Sequence, residues 1–244
     1  MAEFLNEYQR AELLSVLETR RRLEDDRVGH VDLGELRMPG FSALRSALRD
    51  TCLVKAELVE SEWLEVAFEG AELRQANLRG ALIEGCLFDQ ARLMQLDLGG
   101  GRVADSRFRR SFLTRIGLAG ATLARVVMDD SDLTAADLSG ATLLHCRFVA
   151  PRQFGGANLA RVSLRGARLT DCDLEGVNLR EADLSGATLV SCDLRGANLC
   201  EAVLEGASLI ACNAEGINLE RARCAGLRHA GTRFFHALTA GASF

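Results

Sequence analysis

Apolar side chains recur at every fifth position along most of this chain. From Leu33 to Phe148, each such position holds Leu, Ile, Val, Phe, Met or Trp, with Ala43 as the exception. The residue two places before each of these centres is usually Ala, Val, Ser or Cys, and the residue two places after it is often Gly. Residues two apart lie on the same side of an extended segment, and glycine favours a turn. Each pentapeptide is therefore predicted to form a very short strand and a corner, and the whole chain to wind into a solenoid.

A second period of 20 residues gives the number of corners in one circuit. One 20-residue grid of centre positions contains Phe68, Phe88, Phe108, Met128 and Phe148. The same spacing relates Cys172, Cys192 and Cys212, and it also relates Asn158, Asn178, Asn198 and Asn218. Since like residues stack at equivalent places of successive circuits, we predict coils of four pentapeptides. A leucine column is predicted at positions 58, 78, 98, 118 and 138, continuing at 159, 179, 199 and 219.

The five-residue phase slips by one residue at 149–153, where Phe148 is followed by Phe154 in "FVAPRQF". We predict that residues 31–244 form one β-helix of about eleven 20-residue coils across this slip.

The first thirty residues stand outside the repeat. Apolar residues recur there at helical spacing among Glu and Arg, at Phe4, Tyr8, Ala11, Leu14 and Leu17. Such a pattern is typical of an amphipathic helix. Because the end of a solenoid exposes strand edges and core, residues 1–30 are predicted to form an N-terminal α-helical cap.

Several pentapeptides match the motif A-(D/N)-L-x-x, namely "ANLRG" at 76–80, "ANLAR" at 157–161 and "ADLSG" at 136–140 and 182–186. In this motif the chain resembles the pentapeptide-repeat family over roughly residues 31 to 244. The resemblance implies an all-β solenoid, a right-handed four-sided parallel β-helix. It also implies a non-enzymatic protein that binds other proteins.

Composition limits the function further. The net charge of −5 is only mildly acidic, so direct binding to nucleic acid is not expected. The N-terminus has no apolar run long enough for a signal peptide or a membrane span, which predicts a cytoplasmic protein and leaves unconventional secretion open. Lys55 is the one Lys among 29 basic residues, a composition that indicates a bacterial source. The eight Cys are then expected to be reduced, and the stacked ones to pack in the core. The four His show no metal or catalytic-triad spacing, so we predict no enzyme activity, no metal and no cofactor.

Charge is grouped into three runs along the chain, which a solenoid would convert into bands along its axis. The first run is acidic and contains Glu57, Glu60, Glu62, Glu65 and Glu69. The second is basic and contains Arg102, Arg107, Arg109, Arg110 and Arg115. The third is acidic and contains Asp129, Asp130 and Asp132. These residues are the candidates for contact with a protein partner, although solvated charge alone also accounts for such runs.

Two functions are weighed on this basis. We favour a rigid scaffold for protein–protein interaction, a role that family members associated with secretion systems share. The alternative, implied by the same resemblance, is a DNA mimic that binds and protects DNA gyrase or topoisomerase IV, but the basic run interrupts the anionic surface that a mimic needs. An apolar C-terminal end is predicted to bind a partner or a second copy as a homodimer, and its candidate residues are Phe234, Phe235, Leu238 and Phe244.

Overall fold

The computed structural model describes residues 10–133, 135–138, 140–149 and 159–244. Its described part contains one helix followed by a series of three-residue strands. The helix is α1 (Arg10–Arg20), and the strands are β1 (Arg22–Glu24), β2 (Arg27–Gly29), β3 (Ser42–Leu44), β4 (Ala47–Arg49), β5 (Glu62–Leu64), β6 (Ala67–Glu69), β7 (Leu82–Glu84), β8 (Leu87–Asp89), β9 (Arg102–Ala104), β10 (Arg107–Arg109), β11 (Thr122–Ala124), β12 (Val127–Asp129), β13 (Thr142–Leu144), β14 (Arg147–Val149), β15 (Arg168–Thr170), β16 (Thr188–Val190), β17 (Ser208–Ile210) and β18 (Arg228–Ala230).

The strands stack in parallel on the sides of one β-helix. Face 1 is an 11-stranded sheet in the order β1-β3-β5-β7-β9-β11-β13-β15-β16-β17-β18, and face 2 is a seven-stranded sheet in the order β14-β12-β10-β8-β6-β4-β2. Faces 3 and 4 are held by single-residue parallel bridges, which begin with Asp32 to Cys52 and with Arg37 to Glu57 respectively. The four-sided parallel solenoid is therefore confirmed. Its eleven stacked strands correspond to about ten turns, close to the predicted number of coils.

The 20-residue grid of large side chains is confirmed as a column inside face 2. Phe68 pairs with Phe88, and Phe88 pairs with Phe108 in parallel register. The rings of neighbouring members stack with centroids 4.5 Å apart. All three side chains are 1% exposed, so they form the central part of the core.

The A-(D/N)-L motif has a local explanation at each position. The Ala and Leu side chains are buried, as at Ala182 and Leu184. The polar residue between them faces outward, and its side-chain oxygen accepts a hydrogen bond from the backbone N–H two residues on, as Asp183 does from Ser185 at 2.9 Å. This Asx turn leads the chain into the corner. The corner residue has a positive φ, which Gly186 adopts without strain at 66°.

The phase slip contains more residues than predicted. Across it, Leu143 pairs with Leu169, a separation of 26 residues rather than 21. Asp137 bridges Ser163, so Leu138 stacks on Leu164 and the predicted continuation of the leucine column to 159 is wrong. The interrupted coil is therefore six residues longer than a regular coil. Five of these residues make up one extra pentapeptide, so the five-residue phase shifts by only one residue. Most of the predicted slip, residues 150–153, lies outside the described residues.

The N-terminal segment joins the solenoid earlier than predicted. Strand β1 begins at Arg22, nine residues before the predicted boundary at 31, because Leu23 and Val28 already occupy buried centre positions. In α1, Leu17 is fully buried and lines a void of about 10 Å³ with Leu23 and Leu33 of the first coil.

The buried side of α1 also differs from the predicted one. Leu13 is buried, Leu14 is half-buried and Ala11 is exposed, whereas Phe4 and Tyr8 lie outside the described residues. Within the described part of the chain, no helix is both long and apolar enough to cross a membrane.

Candidate protein-binding surface

The acidic run encircles the rod instead of forming one patch. Glu57 projects from face 4, Glu62 from face 1 and Glu69 from face 2, while Glu60 and Glu65 occupy corners. All five are exposed. Since they point in different directions, no flat partner contacts all of them together.

The basic run is concentrated on face 2, where Arg107, Arg109 and Arg110 lie on one coil. Arg110 donates hydrogen bonds to both carboxylate oxygens of Asp89 at 2.8 and 2.9 Å. Arg107 lies 3.1 Å from the carboxylate of Asp129 on the other side. The arginine cluster is therefore flanked by acids from the coils before and after it.

The other predicted charges are distributed around the rod. Arg102 projects from face 1, and Arg115 occupies the corner after face 3. Asp130 is exposed at a corner of face 2, and Asp132 on face 3 accepts a hydrogen bond from the Thr114 hydroxyl at 3.2 Å. The structure thus brings together Arg107, Arg109, Arg110, Asp129 and Asp130 and separates the remaining candidates.

Ion pairs between adjacent coils recur along the rod. Arg125 binds both oxygens of Asp105 at 2.5 Å, and Arg45 binds Asp25 in the same way. The hydrogen bond from Arg125 lowers the pKa of Asp105 below its ordinary value. Because these groups are exposed, each pair adds little stability, but together they place both signs of charge side by side on the surface.

The four residues predicted at the C-terminal end do not share one surface. Phe234 is half-buried against the core and Phe244 is 74% exposed at a centre position of the last coil. Phe235 and Leu238 project sideways from faces 2 and 3 and are 66% and 52% exposed.

Four outward-facing leucines were missed by the sequence analysis. Leu44, Leu64 and Leu82 lie on face 1 and are half-buried, and Leu87 lies on face 2 with 40% of its surface exposed. We call these four residues the leucine patch. Their signal in the sequence is an apolar residue directly before or after a centre position, where polar residues are usual.

The stacked cysteines form a column of four rather than three. The 26-residue separation places Cys146 beside Cys172, followed by Cys192 and Cys212, and each thiol donates to backbone carbonyls at 3.4–3.8 Å. Contact with Cys146 is the main cause that raises the pKa of Cys172 to about 12. The thiol of Cys172 therefore remains protonated at neutral pH, and the buried column packs as small apolar groups.

One trio of acids resembles a cation site. Ligand atoms of Asp173, Glu175 and Asp193 lie within 4.8 Å of one another. The guanidinium of Arg195, however, lies 2.9 Å from Glu175 and 2.6 Å from Asp193. The arginine therefore supplies the positive charge that a metal ion would bring.

The sequence matches the profile for pentapeptide repeats, with eight copies over residues 71–110, 113–148, 157–196 and 187–223. These segments cover more than half of the chain. The protein therefore belongs to the pentapeptide-repeat family. No curated protein sequence matches this chain.

Solved structures with similarity to this chain include HetL, a pentapeptide repeat protein involved in heterocyst differentiation regulation from the cyanobacterium Nostoc sp. strain PCC 7120. It is 24% identical, with 95% of each chain covered and a TM-score of 0.45. QnrB1, a plasmid-mediated fluoroquinolone resistance protein, is 17% identical over 77% of this chain and 90% of its own, with a TM-score of 0.33. A pentapeptide repeat protein of the Arabidopsis thaliana thylakoid lumen is 28% identical over 51% of this chain and 65% of its own, with a TM-score of 0.22.

Proposed function

We propose that this protein is a non-enzymatic rod that binds another protein through its side faces. The main support is the arrangement of charge on face 2, where Asp89, the arginine cluster and Asp129 follow one another along the axis. Alternating charge fixes the register of a protein partner and suppresses wrong partners. The side-chain core supports this proposal as well, because tightly stacked Phe and Leu leave no room for a substrate along the axis of the described coils.

A DNA mimic of the kind that binds gyrase or topoisomerase IV is the weaker candidate. It requires negative charge along most of the rod, as on a nucleic acid backbone. The arginine cluster on face 2 opposes that requirement, and so does the side-by-side pairing of Arg125 with Asp105.

The test neutralises the arginine cluster with Arg107→Gln, Arg109→Gln and Arg110→Gln in one variant. The immobilised protein first captures its partner from a lysate of the source cells, and the partner is identified by mass spectrometry. We expect a protein other than gyrase or topoisomerase IV, with a Kd at least fivefold higher for the glutamine variant, because the contact is electrostatic.

A matched variant, Arg161→Gln with Arg165→Gln and Arg180→Gln, removes the same charge from later coils and should bind as the unmodified protein does. Glutamine is preferred to glutamate, which would repel Asp89 and Asp129 and confuse binding with stability. Recovery of gyrase, inhibition of its supercoiling and equal affinity of the glutamine variant would contradict the scaffold and favour the DNA mimic.

We further propose that a second copy binds at the C-terminal end of the rod, where Phe244 is exposed at a centre position. Light scattering coupled to size exclusion should give the mass of a dimer for the unmodified protein and of a monomer for Phe244→Asp. The control is Phe112→Asp, since Phe112 is 52% exposed on face 3, far from that end. A monomeric mass before any substitution would refute the dimer.

We also propose a location in the bacterial cytoplasm, and association there with a secretion system is part of the same scaffold proposal. All eight cysteines are free thiols, which agrees with a reducing compartment. Fractionation of the source cells, with detection of the protein outside the cytoplasm as the contrary result, tests this location.

A further inference from the structure

The leucine patch lies on two adjoining faces near the N-terminal end of the rod. On face 1, Leu44 pairs with Leu64 of the next coil. Leu82 lies one coil further on and pairs with Glu62, which is two residues before Leu64 on the same strand. Leu87 pairs with Ala67 of the preceding coil on face 2, and it lies two residues after the corner at Gly85. Since Gly85 has no side chain, the corner does not project between face 1 and Leu87. Three successive coils thus present apolar side chains around one edge.

Acids line this edge on the two coils that carry Leu64, Leu82 and Leu87. Residues 62–69, which form β5, β6 and their corner, and residues 82–89, which form β7, β8 and theirs, include four exposed glutamates, Glu62, Glu65, Glu69 and Glu84, and no Lys or Arg. In the coil below, Arg45 occupies the corner beside Leu44. Half-buried Asp89 ends β8. The patch is therefore apolar at its centre and anionic at its margin.

Three of the four arginines that border the patch bind acids of the rod. Arg45 binds Asp25, and Arg49 lies 3.4 Å from Glu69. Arg107, which follows Leu87 in register, binds Asp129. Arg102 follows Leu82 and marks the upper limit of the patch on face 1. Glu62, Glu65 and Glu84 are exposed, so their carboxylates are accessible to a partner.

We propose that the leucine patch binds a cationic amphipathic helix of the protein partner. The helix would place apolar side chains on Leu64, Leu82 and Leu87 and flanking Lys or Arg beside the glutamates. Exposed apolar area with a charged rim is typical of an interaction site, and an amphipathic helix satisfies both parts of it. This proposal rests on the scaffold function and specifies the partner's chemistry.

Charge argues against two other occupants. The first nine residues of this chain carry Glu3 and Glu7 and would meet like charge at the margin. A second copy that placed the same edge against itself would bring Glu62, Glu65 and Glu84 of both copies together. Like charges at such a contact are unfavourable.

The probe is a labelled synthetic helix of about 18 residues, built only from Leu and Lys so that it has one apolar face. Its control is a peptide of the same composition with the order scrambled, which removes that face. Fluorescence anisotropy should show that the ordered peptide binds the full-length protein at least tenfold more tightly than the scrambled one. Affinity should fall at about 0.5 M salt because the margin is screened.

Three variants locate the site. Glu62→Gln, Glu65→Gln and Glu84→Gln together should raise the Kd of the ordered peptide about tenfold, and Leu87→Ser should raise it at least threefold. The matched variant carries Glu35→Gln, Asp171→Asn and Glu215→Gln, which remove three exposed acids elsewhere. It should bind as the unmodified protein does, and circular dichroism should show the same fold for all variants.

The proposal is overturned if the matched variant loses as much affinity as the patch variant, or if the scrambled peptide binds equally well. It is also overturned if the native partner is captured normally by the patch variant. In that last case the scaffold function stands and only the location fails. Failure to capture any protein with the unmodified rod would instead refute the scaffold function itself.

Discussion

Replacement of Phe88 by alanine is expected to lower the free energy of unfolding by about 3–5 kcal/mol. The ring of Phe88 is 1% exposed and stacks between Phe68 and Phe108, with centroids 4.5 Å away on each side. The coils above and below are fixed by backbone hydrogen bonds, so they cannot close the cavity. Thermal unfolding followed by circular dichroism should show a midpoint lower by roughly 10 °C.

Phe112→Ala provides the control, because Phe112 is the same residue type on the outside of face 3 and is 52% exposed. Its removal should change the free energy of unfolding by no more than about 0.5 kcal/mol. Equal losses for the two variants would mean that the phenylalanine column does not carry the stability of the rod. A second, separate transition in Phe88→Ala would indicate that the coils unfold in parts, as repeat proteins can.

Most of the fold could be predicted because every coil of a pentapeptide solenoid carries the same pattern of apolar, polar and turn residues in its sequence. The 20-residue grid of Phe68, Phe88 and Phe108 identified both the coil length and the core column. Burial at the described centre positions from Leu23 to Cys224 has one physical cause, namely that a strand of three residues presents only its middle side chain to the axis.

Because the repeats are so alike, two boundaries could not be predicted correctly: the end of the interrupted coil and the start of the solenoid. Leu159 and Leu164 are equivalent leucines, so the sequence alone could not tell which of them stacks on Leu138. At the N-terminus, Leu23 and Val28 fit the five-residue phase. The predicted helical cap nevertheless includes them, although its helical spacing of apolar residues ends at Leu17. In both places the five-residue pattern was read correctly, but the sequence did not show at which repeat the boundary falls.

The surface was less predictable because its contacts join residues about 20 apart. Arg110 binds Asp89 and Arg107 lies beside Asp129, although both acids lie outside the basic run. The basic run is therefore a stretch of like charge in the sequence, but in the structure its arginines lie between acids of the neighbouring coils. The leucine patch is likewise assembled from separate coils, and no short window of sequence contains it.

Deletion of residues 151–156 is expected to leave the fold intact, with a melting temperature within about 2 °C of that of the unmodified protein. The coil between Leu143 and Leu169 has 26 residues, and removal of six restores the regular 20. The new junction reads "FVAANL", in which Leu159 follows Phe148 at the five-residue spacing and "ANL" supplies the motif. Removing six residues from a connection of this length changes its closure entropy by less than about 1 kcal/mol.

A deletion of equal length at 191–196 is the control. It removes the buried side chains of Cys192 and Leu194 and puts the following residues one position out of phase. We expect a loss of more than about 5 kcal/mol, or an insoluble product, because buried side chains are lost and the coil no longer closes. If the interrupted coil had 21 residues, as the one-residue slip suggests, deleting 151–156 would leave only 15 and should be equally damaging. The two melting curves therefore distinguish the 26-residue register from the 21-residue one.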